Sequence, residues 1–309
     1  MTAGEQASTV SGAQFQLAAG ELQAAIASVG ASLRRLTWRG RDLVLPFEAD
    51  EIRPHFRGCV LAPWPNRVAG GRWRWDGVEH QLSVTEPERG HALHGLVCWS
   101  DWDATHVSES SVTLSTALAA QAGYPFPLDL ALTWTVDGAG LLAQLSAHNR
   151  GQVAAPFGCG IHPYLVAPSG RLDAWTLTIP ADRVLEVDAS LIPTRLADVP
   201  GVFDFRGPRP IGGARIDHAF TDIASAGGVS AVTLTDPDGA GVRMVFGADT
   251  PWVQICTSDW PSQSGDRAGL GVEPMTCPPN ALATGVDLIV LEPDETVTRW
   301  WRIEPVEGG

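Results

Sequence analysis

The sequence predicts an all-β fold, one large antiparallel sandwich, on three observations. Apolar and polar residues alternate with a period of two in short runs. Glycine (33 residues) and proline (23 residues) recur between those runs as turn formers. No long stretch carries a helical period, and many short strands with such turns make a sandwich or barrel. In chain order, "RWRWDGVEHQL" (72–82) reads as a hairpin: Trp73 and Trp75 share a face and Asp76-Gly77 suits a two-residue turn. Val78, His80 and Leu82 alternate on the return. The only plausible helical stretches are short, such as part of "STALAAQAG" (115–123). "LDLALTWTV" (128–136) sets Leu128, Leu130, Leu132 and Trp134 on one side, turns at "DGAG", and returns through "LLAQLSAHN". "AVTLTDPDGAGVRMVF" (231–246) is a third hairpin, and "VTRWWRIEP" (297–305) a terminal strand. No block resembles a linker and no fixed period repeats, so residues 1–309 are expected to form one domain with 1–13 as a flexible N-terminus.

Composition limits the partners. With 35 acidic against 21 basic residues the net charge is −14, which opposes nucleic acid or an anionic membrane as a partner. Hydrophobic residues at 44% are enough for a sizeable core. The five cysteines are widely spaced without a CxxC pair, so neither a zinc site nor a disulfide framework is expected. The N-terminus lacks a basic start followed by an apolar run, and no stretch reaches the roughly 20 apolar residues of a membrane span. A cytoplasmic protein with reduced thiols is the expectation.

The chemistry-bearing candidates are dispersed. In "GCGIHPYL" (158–165), Pro163 drives His162 towards an extended backbone and two glycines precede it. That setting suits either a core histidine bonded to a backbone carbonyl or one facing a cavity. Glu273, in "GVEPM", sits similarly before a proline. A buried acid and a buried imidazole suggest an acid–base pair, because their environments push their pKa values apart. "DPDGAG" (236–241) has the start of a calcium loop without its remaining ligands, and reads as a turn. "HALH" spaces His91 and His94 as metal ligands on a helix would be, but Gly90 and Gly95 bracket it. No metal site follows. There is no GxSxG elbow and no phosphate-cradling glycine loop, so no cofactor is expected.

Six motifs stand in order: PxxNR (63–67), HGL (94–96), GxHPYL (160–165), DHAF (217–220), WxQI (252–255) and VEPMTxPPNA (272–281). Together they resemble the aldose 1-epimerase (mutarotase) family, across nearly the whole chain from about Phe15. The resemblance implies a β-supersandwich of the galactose mutarotase type and a small-molecule sugar, an aldohexose, as partner. It implies Glu273 as general base on the anomeric hydroxyl, His162 as general acid on the ring oxygen, and His94 as a second imidazole bonding the sugar. Asn66, Arg67, Asp217 and Gln254 would bind hydroxyls. Two proton-transfer groups suffice for ring opening, which agrees with the lack of cofactor motifs. Of twelve tryptophans, Trp64 and Trp99 lie nearest the motifs as stacking candidates. Leu96, where galactose mutarotases usually carry glycine, and Asn280, where many relatives carry aspartate, set the chain apart without touching acid or base. Three other readings stay open: a hexose-6-phosphate epimerase gripping phosphate through Arg53, Arg57, Arg72 and Arg74; a hydrolase using Asp217 with Glu273; and a non-catalytic sugar-binding protein. The oligomeric state is left open.

Overall fold

A computed structural model describes residues 9–260 and 265–309. Its strands form a nine-stranded antiparallel sheet, an eight-stranded antiparallel sheet and a four-stranded sheet, with smaller two-stranded pairs. The expected hairpins are present. Arg72–Trp75 pairs with Val78–Gln81 across Asp76 and Gly77, both at positive φ as the tight turn requires. Leu128–Val136 pairs with Leu141–Asn149, and Val229–Thr235 with Gly241–Gly247. The terminal strand Thr296–Val306 lies between Leu141–Asn149 and Gly241–Gly247 at the middle of the large sheet.

The alternation works as a half-buried strand should. Leu128, Leu130, Leu132 and Trp134 are buried while the residues between them are more exposed. One contiguous apolar cluster joins Leu17, Ile26 and Leu33 of the four-stranded sheet, Trp134, Met244 and Trp301 of the nine-stranded sheet, and Val253, Ile255 and Val272 of the eight-stranded sheet. Each such side chain contributes on the order of 1.5–3 kcal/mol by burial.

Two expectations need correction. "STALAAQAG" holds no helix: Ser111–Leu118 is a strand paired with Leu128–Val136, because the neighbouring strand overrides a helical preference that is short and weak. The α-helix among the described residues is a single turn, Ala281–Thr284, after the paired prolines. Residues 9–13 of the expected flexible N-terminus are instead tied to the fold. Residues 1–8 lie outside the described residues, but Ser11 donates its N–H and hydroxyl to the Ala49 carbonyl and Ser28 donates to that of Ala13. All five cysteines are free. Among the described residues no helix is long and apolar enough to cross a membrane.

Candidate active site

Register builds the site. In the eight-stranded sheet, Asp217–Ile223, Trp252–Cys256 and Leu270–Met275 are neighbours, with Asp217 opposite Cys256, Gln254 opposite Glu273, and Cys256 opposite Gly271. Side chains alternate faces along a strand, so Val253, Ile255 and Val272 enter the core while Gln254, Cys256 and Glu273 share the other face. Leu270–Met275 is buried at all six positions, which places the Glu273 carboxyl inside protein on a face that is not the apolar core. A side chain at Gly271, two residues before it, would crowd Cys256 on the neighbouring strand.

His162 reaches this face by a break in its own strand. Gly160–Ile161 and Tyr164–Leu165 both pair with the Glu273 strand, Gly160 opposite Met275 and Tyr164 opposite Gly271. Midway between those pairs, His162 lies opposite Glu273. Pro163 cannot donate to the ladder, yet its carbonyl accepts the Val272 N–H, and the His162 N–H donates to Cys59 on the other side. The preceding glycines answer to close packing: a side chain at Gly158 would strike the Cys277 sulfur, and one at Gly160 the Pro274 carbonyl.

The result is a buried contact, His162 Nε2 to Glu273 Oε1 at 3.2 Å. Among the described residues, Glu273 Oε2 and His162 Nδ1 are buried without a hydrogen-bond partner. Burial, then the nearby Asp217 charge, pushes the Glu273 carboxyl well above its ordinary value, against a smaller pull from Arg67. Burial holds the His162 imidazole down at about 3. His94 meets His162 edge to face, ring centroids 5.1 Å apart, and burial followed by the His162 and Arg67 charges holds it well below its ordinary value.

The sequence candidates converge, with one standing behind the rest. Glu273, His162, His94, Asn66, Arg67 and Asp217 line one cleft. Gln254 does not line it; its Nε2 donates to Asp217 Oδ1 at 2.7 Å and fixes that carboxylate. Asn66 and His94 are clasped together, the His94 N–H donating to the Asn66 carbonyl at 3.0 Å and the Asn66 N–H to His94 Nδ1 at 3.2 Å. Both take positive φ, 56° and 61°. Asn280 stands outside the cleft and holds this turn: its Oδ1 accepts from Ala69 and its N–H donates to the Arg67 carbonyl.

Other cleft residues were not among the sequence candidates. Glu86 receives two hydrogen bonds from Arg67, each 2.9 Å, and one from Arg89. Burial would raise this carboxyl, but the two arginines outweigh it and hold it below its ordinary value. Phe56 packs on His94, Tyr164 stacks along His162, and Trp260 stacks on His55 with centroids 3.6 Å apart. These are the aromatic wall of the cleft. Trp64 and Trp99 are not: Trp64 is buried against Tyr124, and Trp99 is half exposed beneath the Arg53 guanidinium. Nor do the four arginines considered for phosphate line it. Arg53 donates to the Val29 and Cys98 carbonyls and Arg57 to that of Pro46, while Arg72 and Arg74 lie on the remote hairpin. "DPDGAG" is a turn whose Asp236 accepts from Asp238, Ala240 and Ser169.

The profile of the family described as aldose 1-epimerase matches residues 13–304. The chain is 38% identical to the uncharacterised YihR protein of Escherichia coli over 284 residues, covering 91% of this chain and 90% of that one. It is 31% identical to galactose mutarotase of Homo sapiens over 216 residues, 64% of this chain and 62% of the relative. Among solved structures, a putative aldose 1-epimerase from Escherichia coli superposes with a TM-score of 0.82 at 22% identity, covering 96% of this chain and 99% of that one. Galactose 1-epimerase from Lactobacillus acidophilus gives 0.79 at 20% identity, covering 94% of each chain. At those identities the superpositions speak to the fold alone.

Proposed function

The chain belongs to the aldose 1-epimerase family, and from that premise we propose that it interconverts the α and β anomers of a neutral aldohexose by acid–base ring opening and closure. The observation that carries the proposal is the buried 3.2 Å contact between His162 Nε2 and Glu273 Oε1 at the floor of a cleft lined by hydroxyl-binding groups. A protonated carboxyl beside a neutral imidazole holds as many protons as a carboxylate beside an imidazolium. The pair can therefore run the reaction in both directions without exchanging protons with water. In opening, Glu273 takes the anomeric proton while His162 delivers one to the ring oxygen; the C1–O5 bond breaks and an aldehyde forms. Rotation about C1–C2 turns the other carbonyl face to the ring hydroxyl. Closure returns both protons.

Arg67, Asp217 and Asn66 suit the remaining hydroxyls, since a buried polyol must find its hydrogen bonds matched. The cleft volume of about 190 Å³ is below the roughly 300–1,000 Å³ of drug-sized ligands, which favours a single sugar ring. The two arginines in the lining, Arg67 and Arg89, are both engaged by Glu86, which favours a neutral sugar over its phosphate. Glu273 is matched with an imidazole, and Asp217 with Gln254, which disfavours a hydrolytic carboxylate pair.

The test is exchange spectroscopy on freshly dissolved pure anomers of neutral aldohexoses, with a hexose 6-phosphate alongside and chelator present. Acceleration over buffer for at least one neutral sugar is expected. Rates equal to buffer for every sugar would overturn the reading.

A further inference from the structure

His94, His162 and Glu273 place one ligand atom each within 4.8 Å of one another, all three residues buried. Two imidazoles and a carboxylate are the donor set of many catalytic zinc sites. The hydrogen bonds around them are arranged for something else. We infer that the backbone amide of Asn66 fixes His94 as the tautomer protonated on Nε2, so that His94 is a standing hydrogen-bond donor into the cleft and the trio cannot hold a divalent metal.

A backbone N–H is always a donor, so the atom it meets must accept. His94 Nδ1 lies 3.2 Å from the Asn66 N–H, hence carries no proton, and the one proton of the neutral ring sits on Nε2. Burial together with the His162 and Arg67 charges keeps the ring from taking a second. The clasp is rigid: the His94 N–H bonds back to the Asn66 carbonyl, and both residues hold positive φ. Gly95, next in the chain, packs so closely that a side chain there would overlap the Ala62 carbonyl. The same device recurs one turn away, where the Gly70 N–H donates to His91 Nδ1 at 3.2 Å.

A ligating imidazole has the opposite wiring. It offers the metal a bare nitrogen and donates its other N–H to an acceptor. For His94 to do so, an Nδ1–H would have to face the Asn66 N–H, two donors head to head. His162 lacks the supporting contact in its own way: among the described residues its buried Nδ1 has no hydrogen-bond partner that would orient the ring for a metal. In the anomer-exchange reading, on which the catalytic part of this inference rests, the fixed donor serves the sugar oxygens whose charge rises during proton transfer.

Long-range proton–nitrogen NMR of the uniformly ¹⁵N-labelled protein without sugar reads the tautomer directly, and so is independent of any turnover. His94, assigned by its loss in His94→Gln, should show a bare Nδ1 and a protonated Nε2; a protonated Nδ1 would overturn the inference. Calorimetric titration with zinc chloride should give no stoichiometric binding at micromolar concentration, whereas binding lost in His94→Gln would overturn it. Kinetically, His94→Asn keeps an acceptor for the Asn66 amide, but its shorter side chain puts no donor at the Nε2 position, and it should lose about 10²- to 10³-fold in rate. His94→Gln restores a donor near the Nε2 position and should stay within about tenfold of the parent. Equal losses in the two variants would mean that donation is not what His94 supplies.

Discussion

Glu273 and His162 share one buried contact, and in the proposed anomer exchange their separate pKa directions would act together on rate. Replacing Glu273 by Gln keeps the side chain's shape but removes the proton acceptor, so a loss of about 10²- to 10⁴-fold is expected. His162→Asn should lose comparably, and the double variant should lose little more than either single one, because both groups serve one exchange. Anomer-exchange rates set against sugar affinity by titration check this; affinity should change far less than rate. The pH profile follows from the same geometry. Activity needs one mobile proton on the pair. On the acid side it is lost when His162 takes a second proton, which burial delays until about pH 3. On the alkaline side it is lost when the carboxyl gives up the last one, which burial and Asp217 delay beyond the ordinary carboxylate range. kcat/KM should therefore form a broad plateau, its two limbs belonging to the pair. An acid limb near pH 6.5, as for an exposed histidine, would contradict the arrangement.

Turns and strand ends decide where these groups point, and their glycines differ in what they bear. Gly95 holds φ +78° with the Ala62 carbonyl where a side chain would start, while Gly90 holds φ +76° in open space. Gly90→Ala should cost only the strain of the left-handed backbone, about 1–2 kcal/mol, and leave turnover near the parent's. Gly95→Ala must also displace the turn that carries His94, so melting temperature and rate should both fall, the rate by more than tenfold. Thermal melts and initial rates on the two variants separate the cases. What was legible in the sequence follows the same division. Period-two alternation gave the hairpins around Asp76-Gly77 and after Val136, since a half-buried sheet imprints its faces on the residues. The Glu273–His162 pairing was suggested by their matching settings, and the family's motifs pointed to its roles. Glu86 was illegible because "TEPERG" looks like solvated charge, and only the fold folds it back onto Arg67. Trp64 and Trp99 misled because nearness to a motif along the chain is not nearness to the cleft, whose aromatic wall comes from Phe56, Tyr164 and Trp260.

At the scale of the whole molecule the buried pair is a burden on stability. Because the folded Glu273 carboxyl is raised, the stability it allows is full below the ordinary carboxylate value and is lost as pH rises through the folded one. His162 is depressed, so its share is full above its ordinary value near 6.5 and is lost as pH falls towards about 3. Glu273→Gln should consequently melt higher than the parent at pH 8, by about 2–4 °C for each kcal/mol relieved, and match it near pH 4. Calorimetric melts at the two pH values measure the difference; a variant less stable at pH 8 would refute it. The interrupted strand around Pro163 has one more consequence, for the order of events when the chain folds. His162 and Glu273 come from distant parts of the sequence and meet only when Gly160 has found Met275 and Tyr164 has found Gly271. A slip of one residue would offer His162 the Val272 methyls and turn the carboxyl towards the core. Such long-range pairings form slowly, after local hairpins like that at Asp76-Gly77. The proposed anomer-exchange activity, followed during refolding, is thus a clock for strand registration, and it should lag behind the return of β-sheet circular dichroism.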